Sequence, residues 1–144
     1  MRGDQHPLSS LANAAALLFD ALGDINWAGF YLLDRGALWL GPFQGKAACT
    51  RIDPGKGVCG AALAQNQTLL VPDVHAFPGH IACDEASRAE IVVPLRVDGR
   101  AVGVLDIDSP VQNRFSQDDR AVLERVAALI EARCDFTRCG YDLL

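Results

Sequence analysis

Residues 75–109 read HAFPGHIACDEASRAEIVVPLRVDGRAVGVLDIDS, and the rest of the chain is organised around them. The second half holds two apolar runs, Ile91 to Val97 and Ala101 to Ile107, joined by Asp98-Gly99. An Asp-Gly pair between apolar runs is a strong two-residue hairpin signal, because both residues tolerate the positive φ of a type I′ turn. Carboxylates stand at both ends of this hairpin: Glu90 before the first strand, Asp106 and Asp108 at the end of the second. In an antiparallel pair the start of one strand lies beside the end of the next, so the three acids are expected at one rim of a sheet. The first half, broken by Pro78 and Gly79, is a polar loop that carries His75, His80 and Cys83. The chemistry to explain is a thiol facing clustered carboxylates.

Working outward, Leu8 to Leu22 has apolar residues at 8, 11, 12, 15, 18, 19 and 22, the spacing of a helix with one buried face, and Gly23 is its stop. Asn26 to Leu33 is aromatic and apolar on both faces, which suits a central strand. The turn Asp34-Arg35-Gly36 leads into a second strand, Ala37 to Gln44, where Pro42 must break the ladder or sit near an edge. A strand-like piece around Ala48 to Ile52 is followed by a turn at 53–57. Val58 to Gln65 is a short helix of small residues that packs closely, and Thr68 to Val71 a brief strand. Beyond the hairpin, Ser116 and Asp119 form a capping-box-like start to a helix over Gln117 to Arg133. Its inward residues are read as Val122, Val126, Leu129 and Ile130, and the tail after it has no clear pattern. The order helix, hairpin, connection, hairpin, helix predicts an α+β domain, an antiparallel sheet with helices on its faces.

At 144 residues the chain is expected to be a single domain, 1–144, with one substantial core. Half the residues are hydrophobic and 22% charged, the balance of a globular chain. A net charge of -5 argues against nucleic acid and anionic membrane as partners. No run approaches the roughly 18 apolar residues of a membrane span, and the first ten residues lack a signal peptide's apolar region and cleavage site. A cytoplasmic location is expected.

Five cysteines, an odd number, in a reducing compartment are not a structural disulfide framework. Cys49 follows the flexible segment Gly45-Lys46-Ala47-Ala48. Cys59 opens the small-residue helix, where the helix dipole would lower its pKa if exposed; the alternative is a small residue in a tight helix contact. Cys83 lies beside Asp84 and Glu85, which would raise its pKa. Such a thiol suits a reaction whose substrate is protonated as the sulfur attacks, as when a sulfoxide oxygen leaves as water. Crowding of Glu90, Asp106 and Asp108 would keep at least one of them neutral. The spacing of His75, His80 and Cys83 matches no common zinc pattern, so no resident metal is expected, and the histidines are read as orienting the loop or touching substrate. Taken singly, each acid reads first as a solvated strand end; it is the convergence of three on one loop that speaks for a site.

The strings WAGFYLL, LGPFQGKAAC, GKGVCG, VPDVHAFPGHIACDEASRAEIVVPL and GVLDIDSP resemble the free methionine-(R)-sulfoxide reductases, which are built on a GAF domain. The resemblance runs from Leu11 to about Ile130 and includes three cysteines, Cys49, Cys59 and Cys83, that a generic GAF module would not carry. It implies that Cys83 attacks the sulfoxide sulfur and becomes a sulfenic acid. It further implies that Cys49 resolves this acid to a disulfide, that Cys59 is an auxiliary or alternative resolver, and that thioredoxin restores the thiols. Glu90, Asp106 and Asp108 match acids that hold the substrate, Trp27 and Tyr31 match aromatic residues lining its pocket, and the amides of Ile81-Ala82-Cys83 are candidates for the substrate carboxylate. No cofactor is implied. A homodimer is a further expectation; the N-terminal region is short beside the family, which bears on a dimer contact or a lid, and the tail with Cys139 is unfamiliar. The competing readings are a ligand-sensing GAF module without chemistry and a thiol redox sensor.

Overall fold

Asp98 and Gly99 both take positive φ, 52° and 78°, and turn strand β5 (Ala89–Val97) directly into β6 (Arg100–Ser109). The computed structural model describes residues 6–80 and 86–142. Around the hairpin lie helix α1 (Pro7–Ala21), strands β1 (Trp27–Asp34), β2 (Ala37–Gly45) and β3 (Arg51–Ile52), helix α2 (Gly57–Gln65), strand β4 (Leu69–Val71) and helix α3 (Gln117–Arg133). The strands form one antiparallel sheet in the order β3-β2-β1-β6-β5-β4. The α+β architecture expected from the sequence is the one observed.

The sheet has two covered faces, which explains why β1, β5 and β6 read as apolar throughout rather than alternating. Ala28, Phe30, Leu32, Ile91, Val93, Leu105 and Ile107 point to the face packed by α1 and α3. Trp27, Tyr31, Val92 and Val104 point to the other, where α2 and the loop after β2 lie. Burying each large apolar side chain stabilises the fold by about 1.5–3 kcal/mol.

Pro42 is accommodated as its chemistry requires. Gly29 pairs with Phe43 and Tyr31 with Leu40, so two residues, Gly41 and Pro42, oppose Phe30 alone in a bulge. Strand β3 pairs only with Leu38 and Trp39, which leaves Pro42 without a strand on its far side. Helix α3 begins with the expected capping box: the Asp119 amide donates to the Ser116 hydroxyl oxygen, and the Ser116 amide to the Asp119 carboxylate.

Several details differ from the sequence reading. Strand β3 is two residues long instead of five, and Glu90 lies inside β5 rather than before it. Helix α3 buries Leu123, Ala127 and Ile130, while Val122 and Leu129 are 48% and 55% exposed. One residue along a helix is a rotation of about 100°, so reading Val122 for Leu123 swings one edge of the assumed face out of the core, while Ile130 is buried and Val126 packs against the core as read. On α1, Phe19 and Leu8 are likewise exposed, and Leu11 and Ala15 are buried. The tail contains a 3-10 turn, Phe136–Cys139, whose Phe136 is buried in the core. Among the described residues no helix is long and apolar enough to cross a membrane.

Candidate active site

Strand register builds the site. Trp27 on β1 pairs with Asp108 on β6, Gly29 with Asp106, and Glu90 on β5 with Asp108. Side chains two apart on a strand share a face, so Trp27, Tyr31, Asp106, Asp108 and Glu90 all project to the face away from α1 and α3. Helix α2 lies over that face and lowers Cys59 onto it. Its close seating depends on Gly60, where an added Cβ would lie 2.5 Å from the carbonyl oxygen of Asp53.

Cys59, Glu90, Asp106, Asp108, Trp27 and Tyr31 line one cavity of about 40 Å³, with His80 and Ser87 in its wall and the exposed Lys56 at its rim. The Cys59 thiol points to Glu90 Oε2 at 3.9 Å. One oxygen of the buried Asp106 carboxylate, Oδ1, accepts no hydrogen bond among the described residues. Trp27 stacks between Phe43 and Tyr31, at ring-centroid distances of 5.3 and 5.9 Å.

Two of these aromatic side chains hold the loop after β2. Trp27 Nε1 donates to the carbonyl oxygen of Lys46 at 3.1 Å, and the Tyr31 hydroxyl to that of Cys49 at 2.9 Å. Cys49 itself is half-buried and disulfide-bonded, whereas Cys59, Cys134 and Cys139 are reduced. Cys83, with the amides of Ile81 and Ala82, lies outside the described residues.

Burial dominates the electrostatics. It pushes the Glu90 carboxyl well above its ordinary value, and the nearby charges of Asp106 and Asp108 push it further. Asp106 is also raised by burial, but contacts with Glu90 and Cys59 and the proximity of His80 oppose the rise. Both carboxyls are thus pushed toward the neutral form, and the buried pair favours keeping a proton between them. Cys59 is raised as well, by burial and then by Asp106 and Glu90, so the helix dipole does not make it a thiolate. Burial, and then His75, lower the pKa of His80, whose ring sits 6.3 Å edge-on from that of His75. Among the described residues, Cys59, Glu90 and Asp106 bring a sulfur and two carboxylate oxygens within 4.8 Å of one another.

Sequence reasoning missed Phe43, Lys56 and Ser87. The side-chain amide of Asn26 donates to Ser87 at 3.1 Å, closing the end of the site. Only Phe43 left a trace, as the aromatic residue in the strand opposite Trp27, and its stacking partner depends on the bulge at Gly41-Pro42.

An α+β sheet with a thiol and buried acids in a cavity under a short helix defines a small-molecule site on a GAF-type fold, and the sequence pattern of the GAF domain family matches residues 6–134. The free methionine-R-sulfoxide reductase of Escherichia coli is 56% identical over 131 residues, which span 91% of this chain and 79% of that protein. The structure of the reduced Staphylococcus aureus reductase superimposes with a TM-score of 0.88 at 51% identity, covering 90% of this chain and 84% of that one. The Neisseria meningitidis free methionine-R-sulfoxide reductase, solved in complex with its substrate, gives 0.87 at 49% identity, covering 90% and 78%. Within the GAF domains, this chain belongs to the free methionine-R-sulfoxide reductases.

Proposed function

We propose that the chain reduces free L-methionine (R)-S-oxide to methionine with its own thiols, as a single domain over residues 1–144 in the cytoplasm. The observation that carries this reading is the buried Glu90 carboxyl, its pKa pushed up by burial, beside a thiol and a second acid in one cavity. A sulfoxide oxygen is a poor leaving group until protonated, and a neutral acid held away from water is suited to supply that proton.

In the proposed cycle the Cys83 sulfur attacks the sulfoxide sulfur while Glu90 protonates the oxygen. The oxygen passes to the Cys83 sulfur as the substrate S–O bond and the transient Cys83–substrate S–S bond break, methionine departs, Cys83 is left as a sulfenic acid, and the thiol's proton replaces the one Glu90 gave. The Cys49 thiol then displaces that oxygen as water, forming a Cys49–Cys83 disulfide. Thioredoxin reduces it by dithiol exchange, and two electrons have passed from thioredoxin to methionine sulfoxide. Support for Cys49 in this role comes from its disulfide-bonded state, with Cys59, Cys134 and Cys139 reduced. Cys59, facing Glu90, is proposed as the auxiliary thiol.

Asp106 and Asp108 are proposed to meet the positive end of the amino acid, and Trp27 and Tyr31 its methyl end. Preference for the free zwitterion follows, because a closed pocket with charged walls leaves no path for a peptide chain. Self-association into a homodimer is proposed through the apolar groove between α1 and α3, where Leu17 and Leu129 are exposed.

The alternative of a thiol redox sensor is favoured by one observation, a disulfide at Cys49 in a loop tied to the cavity wall. Thioredoxin, its reductase and NADPH separate the two when each methionine sulfoxide epimer is supplied in turn. Steady NADPH oxidation with the R epimer alone is the expected result. Oxidation limited to one equivalent per protein, whichever epimer is present, selects the sensor and removes the reductase reading.

A further inference from the structure

We propose that Cys59, Glu90 and Asp106 form a site for a thiophilic divalent cation of the zinc class, which binds the disulfide form of the protein and excludes substrate from the cavity floor. Three observations carry it. The sulfur and the two carboxylate oxygens lie within 4.8 Å of one another, and all three residues are buried. Asp106, only 5% exposed, keeps Oδ1 without a hydrogen-bond partner among the described residues, an orphaned acceptor at the cavity. The three side chains also come from three elements, α2, β6 and β5, each fixed by helix packing or sheet register.

The geometry is close to what such an ion needs. Zinc bonds of about 2.3 Å to sulfur and 2.0–2.2 Å to oxygen place tetrahedral ligand atoms roughly 3.5 Å apart. The Cys59 sulfur and Glu90 Oε2 are already at 3.9 Å, and with every pair within 4.8 Å, side-chain adjustments of up to about 1 Å close the set. Binding displaces the protons of the Cys59 thiol and the Glu90 carboxyl to solvent, and the resulting thiolate and two carboxylates suit a borderline-soft cation better than calcium or magnesium, which take oxygen alone. The fourth position would face the cavity. No sequence motif marks the site, since position 59 is 31 residues from position 90. An ion held there occupies the acids proposed to protonate and hold the sulfoxide, so the disulfide form would have to release it before the reduced protein takes up substrate.

The test uses the full chain in its oxidised form, where Cys49 is already disulfide-bonded and cannot contribute a thiolate. Cadmium chloride is the spectroscopic probe, read by the ultraviolet thiolate-to-cadmium charge-transfer band, and zinc chloride the calorimetric one. One equivalent is expected to bind, with the band lost in Cys59→Ser and kept in Cys139→Ser. At least a tenfold loss of zinc affinity is expected in Asp106→Asn. Cys59→Ala replaces Cys59→Ser if that variant does not fold. Absence of the band in the wild type, or its survival in both Cys59 variants, overturns the proposal. The readout is binding, not turnover, so it stands or falls apart from the reductase reading.

Discussion

The Tyr31 hydroxyl donates a 2.9 Å hydrogen bond to the backbone carbonyl of Cys49, tying the cavity wall to the loop that bears a disulfide-bonded sulfur. Trp27 makes a parallel tie to Lys46. The enclosed space, about 40 Å³, is far below the roughly 300 Å³ at which ligand pockets begin. Admitting an amino acid therefore requires the cavity wall to move, and each tie resists lifting of the loop after β2 by about 0.5–1.5 kcal/mol. Tyr31→Phe removes one tie and keeps the ring. In the reduced protein it is expected to raise the alkylation rate of Cys49, located by peptide mapping, by about two- to tenfold. Unchanged alkylation and unchanged amide exchange over residues 46–50 would show that Tyr31 does not hold the loop.

Gly29 is expected to be the least replaceable position of the cavity wall. A Cβ there would lie 2.3 Å from the Cβ of Phe43 and 2.7 Å from the Trp27 ring, inside the stack that forms the wall. Overpacking of this kind costs about 1–3 kcal/mol, so Gly29→Ala should lower Tm by about 3–10 °C. Gly23→Ala, where an added Cβ meets nothing within 4 Å, is the control and should leave Tm within about 2 °C. Equal melting of the two variants refutes the account of the stack.

The fold was legible where local chemistry and long-range pairing agree. Asp98-Gly99 announces a hairpin because only a few residue pairs accept two positive φ values, and Ser116 with Asp119 announces a helix start because their side chains satisfy orphan amides. Glu90, Asp106 and Asp108 could be brought together on paper because hairpin register follows from the turn. Less was readable wherever rotation or remote register decides. The core face of α3 differs from the one read by a single residue, and Phe136 finds its place only because α1 and α3 leave one. The meeting of Trp27 with Phe43 depends on a bulge. The approach of Cys59 to Glu90 depends on how α2 seats against the turn at 53–55, through Gly60.

The thiols are predicted to differ in what their loss abolishes. Cys83→Ser removes the proposed attacking sulfur, and neither thioredoxin nor a small dithiol should support reduction of the R epimer. Cys49→Ser removes the proposed resolver only. With Cys59→Ser added, so that the auxiliary thiol cannot resolve the intermediate, it should release one equivalent of methionine per protein and then stall, with a sulfenic acid on Cys83 that dimedone traps and mass spectrometry finds. Methionine formation by Cys83→Ser, or no stoichiometric burst from Cys49→Ser combined with Cys59→Ser, would reverse the assignment.

Glu90 links the site to the pH dependence of stability. Its carboxyl, ordinarily at 4.5, is held well above that in the folded protein by burial and by Asp106 and Asp108. Between the two values the native state keeps a proton that the unfolded chain has released, so the native state binds more protons and stability falls as pH rises. The contribution is fully present below about pH 4.5 and is lost as pH climbs through the folded value, with a slope of up to about 1.4 kcal/mol per pH unit. Glu90→Gln keeps the shape and a donor but cannot ionise. Denaturant titrations from about pH 5 to pH 8 should show a falling stability in the wild type and a flatter profile in the variant. Asp106, also raised by burial, retains part of the slope. Cys59 adds nothing in this window, because its unfolded thiol does not ionise until near 9.0. The same substitution should cut turnover of the R epimer by at least a hundredfold, the usual span of a lost general acid. Parallel pH profiles for the two proteins would mean that Glu90 is not the neutral acid, and the proton would have to come from elsewhere in the cavity.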